Sequence, residues 1–241
     1  MNLIVDIGNT RTKVAAFDKE EMVWQKTYVS LTQMKHDLSK LEINNSIISS
    51  VAKQELTNFV KGILPKALVL NFETPIPISN NYKTPKTLGN DRLANAVAAY
   101  RLFGNSNTLI IDAGTCLKFD FINKNKEYLG GAIAPGLRMR FQALHTLTAN
   151  LPLLENFEEV VLIGNNTETS MVSGCFNGMQ HEIAATITAY KGKYKDLQII
   201  ITGGDVSNLE KMDFSQKNSI FADRWLTLKG LNEILRYNVE N

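Results

Sequence analysis

The stretch Leu3-Ile4-Val5-Asp6-Ile7-Gly8, followed by Asn9 and Thr10, recurs as Leu109-Ile110-Ile111-Asp112-Ala113-Gly114, followed directly by Thr115. In each copy a lysine stands three positions after the threonine, Lys13 and Lys118. A second β-rich apolar run follows, Val14–Phe17 in one copy and Phe119–Ile122 in the other. Leaving out Asn9 aligns the two segments throughout. Each reads as a short buried strand, a tight turn and a second strand. Gly8 and Gly114 give the turn the backbone freedom that cradling a phosphate requires. A carboxylate beside a phosphate is repulsive unless a cation lies between them, so Asp6 and Asp112 point to Mg²⁺ or a monovalent ion. Thr10 and Thr115 offer hydroxyl and backbone donors to phosphate oxygens. One copy alone reads equally as a hairpin whose Asp and Thr tie off the turn. Two copies half a chain apart predict two hairpins gripping one polyphosphate from both sides.

Working outward, the segment 3–28 predicts three strands, and Leu31, Met34, Leu38 and Leu41 mark an amphipathic helix. Ile47–Val51 and Leu68–Leu70 read as buried strands with a helix between them. A Pro-containing loop from Pro75 to Pro85 precedes a helix carrying Leu93, Ala94, Val97, Ala98 and Leu102. The second half restarts at Leu109 with strands to about Ile133, a turn at Asn123–Lys126 and a helix from about Pro135. A strand at Val160–Ile163 is expected to lead into a long helix after Thr167. Ile199–Ile201 reads as a strand ending in Gly203-Gly204-Asp205, and a last helix covers about Trp225–Tyr237. Strands followed by alternating helices and strands, twice over, make an α/β protein with a duplicated fold. The boundary falls near Gly104–Thr108, giving domains at 1–106 and 107–241.

The 241 residues suffice for two domains of about a hundred residues each. With 44% hydrophobic and 21% charged residues the composition is that of an ordinary globular protein. A net charge of +2 gives no polyelectrolyte signal, which argues against nucleic acid as a partner. Cys116 and Cys175 stand far apart, in neither a CxxC pair nor a metal-ligand spacing, and fit a reducing compartment. His36, His145 and His181 fall in three different predicted helices, which excludes a histidine metal motif. Neither a P-loop nor a GxGxxG fingerprint is present. Asp6 breaks the opening apolar run too early for a signal peptide, and no stretch reaches the roughly 20 apolar residues of a membrane span. A cytoplasmic protein with no membrane partner is expected.

The DIGNTRTK run (Asp6–Lys13), the DAGT run (Asp112–Thr115) and the ITGGD run (Ile201–Asp205) resemble the two phosphate motifs and the adenosine motif of the actin, sugar-kinase and heat-shock ATPase superfamily. With LGNDRLANAVAA (Leu88–Ala99), GGAIAPGL (Gly130–Leu137) and GNNTETSMVSG (Gly164–Gly174), nearly the whole chain resembles a type III pantothenate kinase. The resemblance implies duplicated actin-like ATPase (ribonuclease H-like) domains with a nucleotide cleft between them. It implies phosphorylation of pantothenate by ATP to 4′-phosphopantothenate, the first step of coenzyme A biosynthesis, in a homodimer. Asp6, Ile7, Gly8, Asn9, Thr10, Arg11, Thr12 and Lys13 would form the first phosphate loop, with Asp6 holding the Mg²⁺ of ATP. Thr115 would be a further ATP contact, and Asp112 would bind a monovalent cation, K⁺ or NH₄⁺. Asp91 would be the proton acceptor. Gly89, Asn90, Arg92 and Tyr82 would line the pantothenate site with it, and Thr167 would reach pantothenate across the dimer. Asn90 replaces the family's usual small or apolar residue, and Cys116 its commoner alanine.

Several of these residues also carry plainer readings. Asp91 precedes an apolar-periodic segment and reads equally as a helix N-cap, as does Thr167. Arg92 suits a substrate carboxylate, which a guanidinium binds bidentately, but also an ordinary surface. Lys13 reads as a solvated strand lysine, and Gly203-Gly204 as a strand-to-helix turn with Asp205 as cap. A kinase for another small alcohol and a non-catalytic nucleotide-binding regulator are the competing functions. A regulator would have no need for Asp6, Asp91, Asp112 and both threonines together.

Overall fold

The computed structural model describes residues 1–8, 11–205 and 220–240. Its chain forms two compact units, one of residues 1–105, 122–129 and 225–241, the other of 106–121 and 130–224. The first break falls one residue from the expected boundary, and the C-terminal segment belongs to the first unit.

The first unit contains β1 (Asn2–Ile7), β2 (Thr12–Asp18), β3 (Glu21–Tyr28), β4 (Asn45–Ser50) and β5 (Leu68–Val69). They form a sheet of order β3-β2-β1-β4-β5. β1 pairs antiparallel with β2 and parallel with β4. Period-two alternation sends Leu3, Val5 and Ile7 into a core with Met34 and Leu38 of α1 (Leu31–Leu38) and Val60 of α2 (Gln54–Ile63). Ile4, Ala15 and Ile47, all fully buried, take the other face. There α3 (Asn90–Phe103) and α7 (Leu226–Val239) pack together and against β1 and β4. Leu41, expected inside the first helix, lies beyond its end yet packs on the same core. The Pro75–Pro85 loop contains a two-residue strand, β6 (Ser79–Asn80), pairing with Glu127 and Tyr128.

The second unit repeats this plan. β7 (Thr108–Ala113) and β8 (Cys116–Ile122) are neighbours joined by a two-residue turn, hence antiparallel. β9 (Glu127–Pro135) lies beside β8, and β10 (Gln198–Thr202) and β11 (Ile220–Ala222) extend the other side in parallel. The order β9-β8-β7-β10-β11 matches β3-β2-β1-β4-β5 strand for strand, so the repeat in the sequence is a repeat of topology. Leu109, Ile111, Ala113, Ile199 and Ile201 share a core with Leu137 and Phe141 of α4 (Leu137–Leu147). Met171 of α5 (Thr167–Val172) and Ile183 of α6 (Gly178–Lys193) complete it, a π-helical turn at Ser173–Asn177 joining the two helices. The expected turn at Asn123–Lys126 forms, its Asn123 Oδ1 accepting from the amides of Asn125 and Glu127 at 2.9 and 3.0 Å.

One expected strand does not form. Val160–Ile163 is irregular, and Leu162 and Ile163 are 78% and 84% exposed. Two of its carbonyls are satisfied by side chains instead of a neighbouring strand. Asn177 Nδ2 donates to Val161 O at 3.0 Å and Ser173 Oγ to Leu162 O at 2.8 Å. An apolar run of four reports hydrophobicity; it does not report whether a strand partner is within reach.

Candidate active site

In the first unit, β1 and β4 run parallel and end together, so the end of β1 presents Asp6 beside Ser49, its register partner. Ser49 Oγ donates to Asp6 Oδ1 at 3.2 Å. Alternation puts Asp6 on the Ile4 face, the side of the sheet that α3 and α7 cover. Ile7 and Thr12 are buried in the paired strands, while Arg11 is exposed at the turn. The turn is closed by Gly8 N–H donating to Arg11 O at 3.1 Å. Asn9 and Thr10 lie outside the described residues. Lys13 stands opposite Asp6 in register, with its ammonium 5.9 Å from the centroid of the Trp225 ring. It is therefore not simply a solvated strand lysine.

Also in the first unit, Gly89 is the N-cap of α3, Asn90 its first residue and Asp91 its second. The N-cap reading of Asp91 is thus corrected: Asp91 sits within the first turn, where the positive end of the helix dipole favours a carboxylate. Asp91 Oδ1 accepts from the Arg92 amide at 2.9 Å and lies folded back against Gly89. A Cβ on Gly89 would come within 2.5 Å of that oxygen, so the glycine makes the room the carboxylate occupies. Asn90 Nδ2 donates to Leu70 O at 3.0 Å, tying the start of α3 to the chain just past β5. This gives Asn90 a packing role. Arg92 is 4% exposed, so the reading of an ordinary surface arginine is wrong. Its guanidinium carbon lies 5.6 Å from the centroid of the Tyr82 ring, which itself leans on Tyr128 at 6.2 Å. The structure thus brings Tyr82, Gly89, Asp91 and Arg92 together at one end of α3.

In the second unit, the turn after β7 is closed by Gly114 N–H donating to Cys116 O at 3.1 Å, leaving Thr115 exposed. The N-cap of α4 sits on this turn, Gly136 N–H donating to Thr115 O at 3.2 Å, so the helix begins where the turn ends. On the far side, Asp205 N–H donates to Ala113 O at 3.0 Å. Gly203 between them has φ +107°, and a Cβ there would lie 2.2 Å from Ala113 O and 2.7 Å from Asp112 Oδ1. Only glycine combines that backbone with that proximity. Burial, and then the negative charge of Asp112, push the Asp205 carboxyl up from its ordinary value. Whether Asp205 caps a helix falls outside the described residues.

Asp112 itself is engaged. Its Oδ2 is 2.7 Å from Lys118 Nζ, the two side chains being 11% and 14% exposed. That arrangement does not fit the expected inorganic monovalent cation, because an ammonium already occupies the carboxylate. Among the described residues no cluster of three or more His, Cys, Asp or Glu side chains suits a metal ion. Asp6 does fit a divalent ion carried with a nucleotide, since Mg²⁺ takes one or two carboxylates and completes its shell with phosphate and water. Lys118 is thus the partner of Asp112, a pairing the motifs did not assign. The signal was present, a lysine in the same place in both copies.

Thr167 is the first residue of α5 and exposed. Asn166, not Thr167, is the N-cap, in a capping box with Thr169, which corrects the capping role read for Thr167. Cys116 and Cys175 are both free thiols. Burial pushes the Cys175 thiol up, so it is poorly reactive. Among the described residues no helix is long and apolar enough to cross a membrane.

Residues 2–189 match the family model described as type III pantothenate kinase. A type III pantothenate kinase of Phocaeicola vulgatus is 43% identical over 244 residues, covering 99% of each chain. Among solved structures, a Baf family protein of Campylobacter jejuni, described as a transcriptional activator, superposes with a TM-score of 0.64. It shares 21% identity and covers 99% of this chain and 100% of its own. An inorganic polyphosphate/ATP-glucomannokinase of Arthrobacter superposes with a TM-score of 0.54 at 12% identity, all of both chains being covered. At such identities these two likenesses speak to the fold, which is the duplicated actin-like one.

Proposed function

The chain belongs to the type III pantothenate kinase family, and on that premise we propose that Asp91 is its general base. The reaction is ATP-dependent phosphorylation of pantothenate, in coenzyme A biosynthesis. Phosphoryl transfer is mainly a matter of positioning and of charge stabilisation. Asp91 accepts the proton of the primary hydroxyl as that oxygen attacks the γ-phosphorus, while the bond from phosphorus to the ADP oxygen breaks. The observation that carries this reading is the placement of the carboxylate. One oxygen is fixed by the Arg92 amide and backed by Gly89, so the group is held in a single orientation at the helix start. The buried Arg92 guanidinium beside Tyr82 supports a contact with the pantothenate carboxylate. The turn at Gly8–Lys13 and the turn at Gly114–Thr115 are the ATP-phosphate contacts, and Asp6 would hold Mg²⁺, whose charge would offset that of the phosphates.

The two copies of the actin-like plan start at residues 1 and 107, a reading supported by their matching strand orders, with 122–129 and 225–241 packing in the first unit. A homodimer is supported by apolar side chains exposed in the second unit, Ile133, Leu147, Leu162 and Ile163, each more than 60% exposed. Thr167, exposed a few residues from Ile163, is then a pantothenate contact made across that dimer. Two free thiols favour the cytoplasm as the compartment.

The test is ADP release with ATP, Mg²⁺ and pantothenate. Asp91→Asn should lower turnover by about 10²- to 10⁴-fold, the usual worth of a general base, with ATP affinity little changed. Near-normal turnover by the variant would remove Asp91 from the role.

A further inference from the structure

We propose that the Lys118 ammonium is this enzyme's built-in monovalent cation at the second phosphate turn, so that ATP binding and turnover require no added K⁺ or NH₄⁺. The inference deepens the kinase reading above and rests on the second turn binding ATP.

One oxygen of Asp112 already carries a cationic partner. Oδ2 is paired with Lys118 Nζ at 2.7 Å. Oδ1 faces the Gly203 turn, so close that a Cβ on Gly203 would come within 2.7 Å of it and one on Gly114 within 3.5 Å. An inorganic ion binding this carboxylate has to displace the ammonium and leave it largely buried away from its counter-charge, an expensive exchange. An alkylammonium carries the same single charge as K⁺ or NH₄⁺. Being tethered to β8, two positions beyond Cys116, it holds its place without the translational cost a free ion bears.

The first hairpin supplies the contrast. Lys13 occupies the equivalent place, three residues after its threonine and opposite Asp6 in register. Its ammonium stands over the Trp225 ring at 5.9 Å. The duplicated lysine thus has two uses, and in the second copy the carboxylate has taken it.

The experiment compares ATP binding by calorimetry in KCl and in choline chloride at equal ionic strength, for the wild type and for Lys118→Thr. Two linked sites typically change each other's affinity by about 5- to 150-fold. The wild type should therefore differ between the two salts by less than about fivefold. Lys118→Thr should bind ATP at least about fivefold more weakly in choline and recover in KCl. A wild type that binds ATP fivefold or more tightly in K⁺, or a variant unaffected in choline, overturns the proposal. Should the variant be too unstable to titrate, its thermal unfolding reads the same exchange: K⁺ raises the midpoint of Lys118→Thr and Lys118→Gln but not of the wild type. Equal shifts in all three proteins would count against it. Failure of the wild type to turn over pantothenate in either salt, with the binding results as expected, would refute the substrate and leave the cation assignment standing.

Discussion

Gly230→Ala probes the contact on which the far side of the first sheet depends. Gly230 lies inside α7, and a Cβ built on it falls 1.9 Å from Ala94 O and 2.6 Å from Ala94 C, both backbone atoms of α3. The separation is about 1.5 Å short of the 3.4 Å at which ordinary contact begins. Helical backbone cannot yield that distance alone, so α3 and α7 must move apart and lose packing along their length. Overpacking of this kind costs about 1–3 kcal/mol, and a backbone contact belongs at the upper end. Against it stands the helix preference of alanine over glycine, about 1 kcal/mol. The net expectation is a loss of about 2 kcal/mol, or a midpoint lowered by about 4–8 °C for a chain of this size. Gly62, in α2 of the same unit, is the control, since a Cβ there meets nothing within 4 Å. Gly62→Ala should gain about 0.5–1 kcal/mol from backbone preference alone. Both variants are to be followed by thermal and urea unfolding with a far-ultraviolet signal. Opposite signs are expected. A Gly230→Ala protein as stable as the wild type, beside a stabilised Gly62→Ala, would refute the close approach of the two helices.

Two further outcomes follow from single contacts. Arg92→Met should raise KM for pantothenate by about 10- to 100-fold, the worth of one hydrogen bond to a charged group, while kcat falls less; an unchanged KM would remove the carboxylate contact. In Asp37, the Lys26 ammonium at 2.7 Å, then the Tyr28 hydroxyl at 2.8 Å, hold the carboxyl below its ordinary value. A depressed native value means that this stability is full above the unfolded-state value of 3.8 and is lost as pH falls through the native one. Asp37→Asn should therefore melt below the wild type at pH 7, with the gap closing below pH 3.8; a gap independent of pH would show that the charge of Asp37 is not the cause.

Much of the fold was legible because its signals are local. β1, β2, β7 and β8 are short apolar runs ended by Gly, Asp and Thr, and their turns form within a few residues of one another. The motif around α3 singled out Tyr82, Asp91 and Arg92 as one group, and the structure places these three side chains near one another. Val160–Ile163 misled for the converse reason. Its composition is that of a buried strand, yet it pairs with no strand among the described residues, and Ser173 and Asn177 take the carbonyls of Leu162 and Val161. β6 and β11, of two and three residues, were too short to show a period and exist only through partners at Glu127–Tyr128 and Ile199–Ile201.

The sequence by itself determined the repeat, the strand-turn-strand units and the family motifs, since each is written in residues that are neighbours along the chain. The tertiary structure decided which groups meet. It set α7 against α3 although more than a hundred residues separate them, and gave the cap of α5 to Asn166. It also sent one of two equivalent lysines to a tryptophan ring and the other to a carboxylate. Both lysines follow the same local pattern. What differs is the surface each hairpin meets once the chain has folded, and no local pattern carries that information.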